Sequence, residues 1–167
     1  MVVIIFGVSG AGKTTVGELL ARELGWCFYE ADDFHSTANI EKMRRGVPLT
    51  DEDRRPWLEN LRQLIKRRVA ANESAVLACS ALKRAYRKHL RVSAEVKLVF
   101  LRGDYELVAK QLRHRRGHFM NPGLLRSQFA DLEEPRSDEE VLIIELGRTP
   151  HELVTEIKTE LHLSGQD

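Results

Sequence analysis

Apolar positions in this chain follow two alternating rhythms. Short unbroken runs rich in β-branched residues mark strands, and apolar residues spaced three and four apart mark helices. Val2–Phe6 is such a run and predicts a strand buried on both faces. Val16, Leu19, Leu20 and Leu24 then recur at helical spacing, predicting a helix over about 13–24 that Gly25 closes as a C′ glycine. Cys27–Glu30 reads as a second strand and 39–45 as a short helix ended by Gly46 before Pro48. Trp57, Leu58, Leu61, Leu64, Ile65 and Val69 outline a longer helix, with Asp53 as its cap and Pro56 in its first turn. Ala75–Cys79 is a third strand, followed by a basic helix over 83–91. A fourth strand over 96–101 leads to a helix over 105–115 that stops at Gly117. A helix over 122–132, a strand over 141–144 and a helix over 150–161 complete the series. Strands alternating with helices imply an α/β fold, a parallel sheet covered on both sides. Ligands of such sheets bind beyond the carboxyl ends of the strands, so the residues following each strand are the ones to inspect.

No repeat, low-complexity tract or linker interrupts the pattern, and 167 residues suit one domain over 1–167. With 26 basic and 25 acidic residues the net charge is +1, which argues against a dedicated nucleic-acid binder. No apolar run approaches membrane-span length, and the first run lacks the charged lead of a signal peptide. Cys27 and Cys79 both sit in apolar runs and read as small buried hydrophobes, with no C-x-x-C pair to suggest zinc or redox chemistry. A reduced, cytoplasmic protein is the expectation.

The first strand runs into Gly7-Val8-Ser9-Gly10-Ala11-Gly12-Lys13-Thr14, a match to G-x-x-x-x-G-K-S/T. Glycines let the backbone turn tightly and aim successive N–H groups inward, where they and the helix N-terminus hold phosphate oxygens. Lys13 then neutralises the β- and γ-phosphates, Thr14 offers its hydroxyl to Mg²⁺, and the loop through Thr15 forms the nucleotide cradle. Strand two runs into Glu30-Ala31-Asp32-Asp33-Phe34-His35. Spacing by two puts Glu30 and Asp32 on one side of an extended segment, facing the γ-phosphate. Asp32 is the candidate base for a hydroxyl proton, and the other carboxylate can orient Mg²⁺-bound water. The alternative is a solvated acidic loop.

Strand three runs into Lys83-Arg84-Ala85-Tyr86-Arg87-Lys88, cations at a helix N-terminus that disfavours them. Either a substrate anion or local acids must offset them. Upstream, Arg54 can grip a carboxylate at two points, and Trp57 either walls the pocket or belongs to the core. After strand four, Arg113-His114-Arg115-Arg116-Gly117-His118 is dense in cations. It reads as a basic lid over about 113–123, or as a solvated helix end or nucleic-acid patch.

These residues resemble the gluconate kinases. The likeness rests on the loop from Gly7 to Thr14, on Asp32, His35, Asn39, Lys42-Met43 and Gly46-Val47-Pro48-Leu49, and on Asp53-Arg54 with Pro56-Trp57-Leu58. It extends through Cys79-Ser80-Ala81-Leu82-Lys83, Tyr86-Arg87, Gly117-His118-Phe119 and Ser127-Gln128-Phe129 to about Pro135. The resemblance implies a three-layer nucleoside-kinase-like fold with sheet order 2-3-1-4-5 and a mobile lid. It implies ATP with Mg²⁺ as phosphoryl donor, D-gluconate as acceptor, 6-phosphogluconate as product, and often a homodimer. It makes Lys13, Asp32 and Arg115 the catalytic residues, and His35, Lys42, Arg54, Trp57, Lys83, Arg87, His118 and Gln128 the acceptor contacts.

The chain departs from the family in three places. Ser36 replaces a frequent proline, which loosens that loop; Glu30 replaces a common aspartate, which alters its reach toward Mg²⁺. Gln111 stands where related kinases carry an arginine against the adenine. The rival readings are a shikimate or other small-carboxylate kinase and a catalytically silent nucleotide-binding module. Shikimate kinases tend to have a glycine triplet where this chain has Cys79-Ser80-Ala81.

Overall fold

Strand β1 (Val2–Phe6) carries no polar side chain because both of its faces are covered. The computed structural model of the chain describes residues 1–115 and 122–165. In it β1 pairs with β3 (Ala75–Cys79) on one side and β4 (Val96–Arg102) on the other, while β2 (Cys27–Glu30) and β5 (Val141–Glu145) lie at the edges. All pairings are parallel, in the order β2-β3-β1-β4-β5. That order is the one implied by the family resemblance.

The period of two along β1 divides the core. Val3 and Ile5 pack toward Leu20 and Leu24 of α1 (Lys13–Leu24) and Val154 and Ile157 of the C-terminal helix. Val2, Ile4 and Phe6 pack toward Trp57, Leu61 and Ile65 of the long helix Asp51–Ala70. Each such side chain contributes about 1.5–3 kcal/mol by leaving water. In chain order the helices after α1 are α2 (Thr37–Arg44), α3 (Asp51–Ala70), α4 (Arg84–Leu90), α5 (Tyr105–His114), α6 (Pro122–Asp131) and α7 (Pro150–Glu160).

Three local expectations are corrected. The N-cap of α3 is Thr50, whose hydroxyl accepts from the Asp53 N–H at 3.1 Å, and Asp53 returns the bond by accepting from the Thr50 N–H at 2.9 Å. Asp53 is therefore the far half of a capping box, and Pro56 lies in the second turn, inside the helix. Ser36 does not loosen its loop; its hydroxyl caps α2 by accepting from the Asn39 N–H at 3.1 Å. Of the two cysteines only Cys79 is buried, because Cys27 opens the edge strand β2 and faces solvent. No helix among the described residues is long and apolar enough to cross a membrane.

Burial pushes the Cys79 thiol up to about 12, so its reactive thiolate is scarce at neutral pH. Iodoacetamide at pH 7.5 should therefore modify Cys27 in the folded protein and both cysteines in denaturant. Peptide mass spectrometry reads the outcome, and native labelling of Cys79 would contradict this packing.

Candidate active site

Among the described residues, no side chain caps the helix end that follows the turn between β1 and α1. Gly10 and Gly12 adopt left-handed conformations, with φ of 83° and 91°. A Cβ on Gly10 would also fall 2.5 Å from Leu112 Cγ, so the loop packs directly on α5. Ser36, Thr50, Asp104 and Thr149 cap α2, α3, α5 and α7 with their side chains. Helix α1 has no capping side chain and no acid in its first turn. Its N-terminal amides and the positive end of its dipole are left to an external anion. Lys13 bends back over the loop, donating to the Val8 carbonyl at 2.9 Å. Burial lowers its pKa, opposed by the nearby charges of Asp32 and Glu30.

Opposite the loop stand the acids at and just after the end of β2. The Thr14 hydroxyl donates to Glu30 Oε2 at 2.5 Å. Burial raises the Glu30 carboxyl, and the Thr14 hydrogen bond partly offsets this. Asp32 does not lie on an extended segment, as the spacing argument expected, but in a 3₁₀ turn, Ala31–Phe34. Glu30 and Asp32 nonetheless border one hollow. The turn is fixed from below by Trp57, whose indole N–H donates to the Ala31 carbonyl at 2.7 Å.

The His35 ring stacks on Trp57 at 4.4 Å and 9°. Its pKa is lowered, by burial first. The Asn39 amide nitrogen donates to the Asp53 carbonyl at 2.8 Å and lies 3.3 Å from His35 Nδ1. Because that nitrogen can only donate, Nδ1 accepts, and the ring proton sits on Nε2, 3.9 Å from Asp32 Oδ1.

A cavity of about 430 Å³ joins these parts. Ser9, Lys13 and Asp32 border it on the loop side, His35 and Trp57 below, and Leu124, Ser127 and Gln128 of α6 across from them. Arg54 enters it as well, donating to the Tyr86 hydroxyl at 3.1 Å and to Asp131 Oδ2 at 3.3 Å. Gln128 reaches the phosphate loop itself, accepting from the Ser9 N–H at 2.6 Å. A second hollow of about 160 Å³ lies on the other side of the loop, bordered by Gly12, Thr15, Gln111, Arg115, Arg148 and Pro150. Arg115 is there, donating to the Thr15 hydroxyl at 3.0 Å.

Three expected acceptor contacts are directed elsewhere. Lys42 lies 3.0 Å from both carboxylate oxygens of Asp53. Lys83 donates to Asp51 at 2.9 Å. Arg87 is fully buried and has both faces of its fork engaged, with Glu139 at 2.7 and 3.0 Å and with the carbonyls of Ala81 and Leu82 at 3.2 and 3.0 Å. Arg84 pairs with Asp138 in the same way. Lys83, Arg84 and Arg87 are thus offset by acids of the chain. Arg87 instead clips the turn after β3, where Ala81 holds a left-handed φ of 38°. His118 lies outside the described residues, as do residues 116–121 of the expected lid. Arg44, which the sequence did not single out, lines the cavity's rim. Asp131 was also missed; only the tertiary contact with Arg54 reveals it.

A family profile described as "AAA domain" matches residues 2–134. The probable gluconokinase of Xenopus tropicalis is 42% identical over 177 residues, covering 96% of this chain and 93% of that protein. The gluconokinase of Gluconobacter oxydans is 45% identical over 156 residues, covering 92% and 87%. Among solved structures, a gluconokinase from Sinorhizobium meliloti is 41% identical with a TM-score of 0.86, covering 96% of this chain and 90% of that one.

The Arg87–Glu139 pair separates scaffold from site. Arg87→Met strands a carboxylate whose side chain is 7% exposed, and should cost about 3–5 kcal/mol in urea unfolding. Arg87→Met with Glu139→Leu should recover most of the loss. A single variant as stable as the parent would contradict this assignment.

Proposed function

Because the chain belongs to the gluconokinase family, we propose that it transfers the terminal phosphoryl group of ATP to D-gluconate, giving 6-phosphogluconate. One observation carries the reading: the uncapped phosphate loop, the Asp32 carboxylate and the Arg54 guanidinium border a single cavity. A phosphoryl donor, a proton acceptor and a carboxylate grip thus meet in one place.

The loop amides and Lys13 hold the triphosphate, and the base of ATP lies toward the second hollow, between Gln111, Arg148 and Pro150. Arg115 stands on that side of the loop, beside Thr15, and supplies positive charge to the triphosphate. The Thr14 hydroxyl and the Glu30 carboxylate are hard oxygen donors 2.5 Å apart, a donor set that suits Mg²⁺ alongside phosphate and water. When bound, Mg²⁺ supplies charge neutralisation at the phosphate oxygens.

Asp32 is exposed at the cavity and accepts the proton of the acceptor's terminal hydroxyl as that oxygen attacks phosphorus. The Nε2–H of His35 faces Asp32 across 3.9 Å. Arg54, with Arg44 at the rim, meets the carboxylate at the far end of the sugar acid. The Trp57–His35 stack gives this end of the cavity a flat, rigid floor.

A coupled ADP-release assay with MgATP tests the reading across gluconate, other aldonic acids, shikimate and nucleoside monophosphates. Turnover should be greatest with gluconate, and Lys13→Ala or Asp32→Asn should lower it roughly 10²–10⁴-fold. Activity confined to shikimate would overturn the acceptor, and near-parental turnover in Asp32→Asn would remove that residue from the chemistry.

A further inference from the structure

We infer that α6 couples the two ligand sites, because it occupies a donor of each with an oxygen that imitates the ligand; the acceptor half of this inference rests on the function proposed above. Gln128 and Asp131 are three residues apart and so share one face of α6. Gln128 Oε1 accepts from the Ser9 N–H at 2.6 Å. The orientation of that carboxamide is fixed chemically, since a backbone N–H can only donate. Ser9 belongs to the loop that wraps phosphate, so the amide oxygen stands where a phosphate oxygen would be received. One turn later, Asp131 Oδ2 accepts from Arg54 Nη2 at 3.3 Å. There a carboxylate of the protein occupies the guanidinium that would take the carboxylate of the acceptor.

The rest of α6 is placed to transmit such an exchange. The flank beside that face is apolar, with Leu125 buried and Phe129 edge-on to Tyr105 of α5 at 5.6 Å. Its C-terminal end is tied to the turn after β3, the Glu133 N–H donating to the Leu82 carbonyl at 2.9 Å and the Glu133 carboxylate accepting from the Arg84 N–H at 2.9 Å. Leu82, like Gln128, borders the main cavity. Ligands that displace either stand-in loosen a helix whose remaining stand-in holds the other site. Nucleotide and acceptor therefore help each other bind, and Gln128 and Asp131 are positioning residues for the transfer.

A plain structural role makes the opposite prediction. If Gln128 only shaped the loop, removing it would weaken nucleotide binding. If it is a stand-in, removing it strengthens binding, by a factor on the order of 3–10, the size of one net hydrogen bond. Titration calorimetry with a non-hydrolysable ATP analogue and Mg²⁺, with and without saturating gluconate, decides between them. The parent protein should bind the analogue several-fold more tightly with gluconate present. Gln128→Ala should bind the analogue alone more tightly than the parent, with the gluconate effect reduced. Gln128→Asn, which keeps the amide but shortens its reach, should behave alike and guards against a folding defect in the alanine variant. Asp131→Ala should bind gluconate alone more tightly. Weaker analogue binding in both Gln128 variants, or an undiminished gluconate effect, would overturn the coupling while leaving gluconate phosphorylation intact. Tighter analogue binding in those variants, with no gluconate effect in any protein, would instead refute the acceptor and keep the nucleotide half.

Discussion

The organisation of this protein follows from one uncompensated feature, the bare N-terminus of α1. Helices α2, α3, α5 and α7 are closed by serine, threonine or aspartate, a device typically worth about 1 kcal/mol. Here it places a left-handed Gly12 at the cap position and a lysine, not an acid, in the first turn. A positively polarised loop has to be held by other means. Leu112 packs on Gly10, the Ser80 carbonyl accepts from the Gly7 N–H at 3.3 Å, and Glu30 holds Thr14. Each of these supports comes from a different element, so the loop sits where α5, the end of β2 and the turn after β3 converge.

Cations are distributed with the same economy of position. Arg87 is enclosed and satisfied at every edge, and it holds the strained turn at Ala81. Arg54 is mostly buried but shares its charge with Tyr86 and Asp131, partners that a ligand carboxylate can replace or join. Arg44 lies exposed at the cavity rim. Enclosure decreases from scaffold to rim while access to a ligand increases. A basic residue's type alone says little about which of these roles it fills; its partners decide.

That distinction explains what the sequence could and could not disclose. The phosphate loop was legible because its chemistry is local: a buried strand, glycines at fixed spacing and an amphipathic helix follow one another in the chain. The sheet order was available only through the family resemblance. The pairing of α4 was hidden, because Arg84 and Arg87 find Asp138 and Glu139 more than fifty residues away. Local reading left a choice between substrate anion and internal acid, and the fold supplies the acids. Asp53 looked like a cap because capping boxes put a side-chain acceptor at both ends, and Thr50 three residues earlier is the true N-cap. Cys27 looked buried because its run is apolar, but the run forms an edge strand. The Gln128 contact with Ser9 spans 119 residues of sequence and leaves no local signal.

The central claim is that the loop from Gly7 to Thr14, left open by the fold, is a triphosphate site. Calorimetric titration of MgATP into folded protein tests it most directly. The account predicts saturable heat at one site per chain, strongly diminished for Lys13→Ala, whose ammonium is the loop's own cation. Absence of any heat from a protein shown to be folded by its unfolding transition would contradict it.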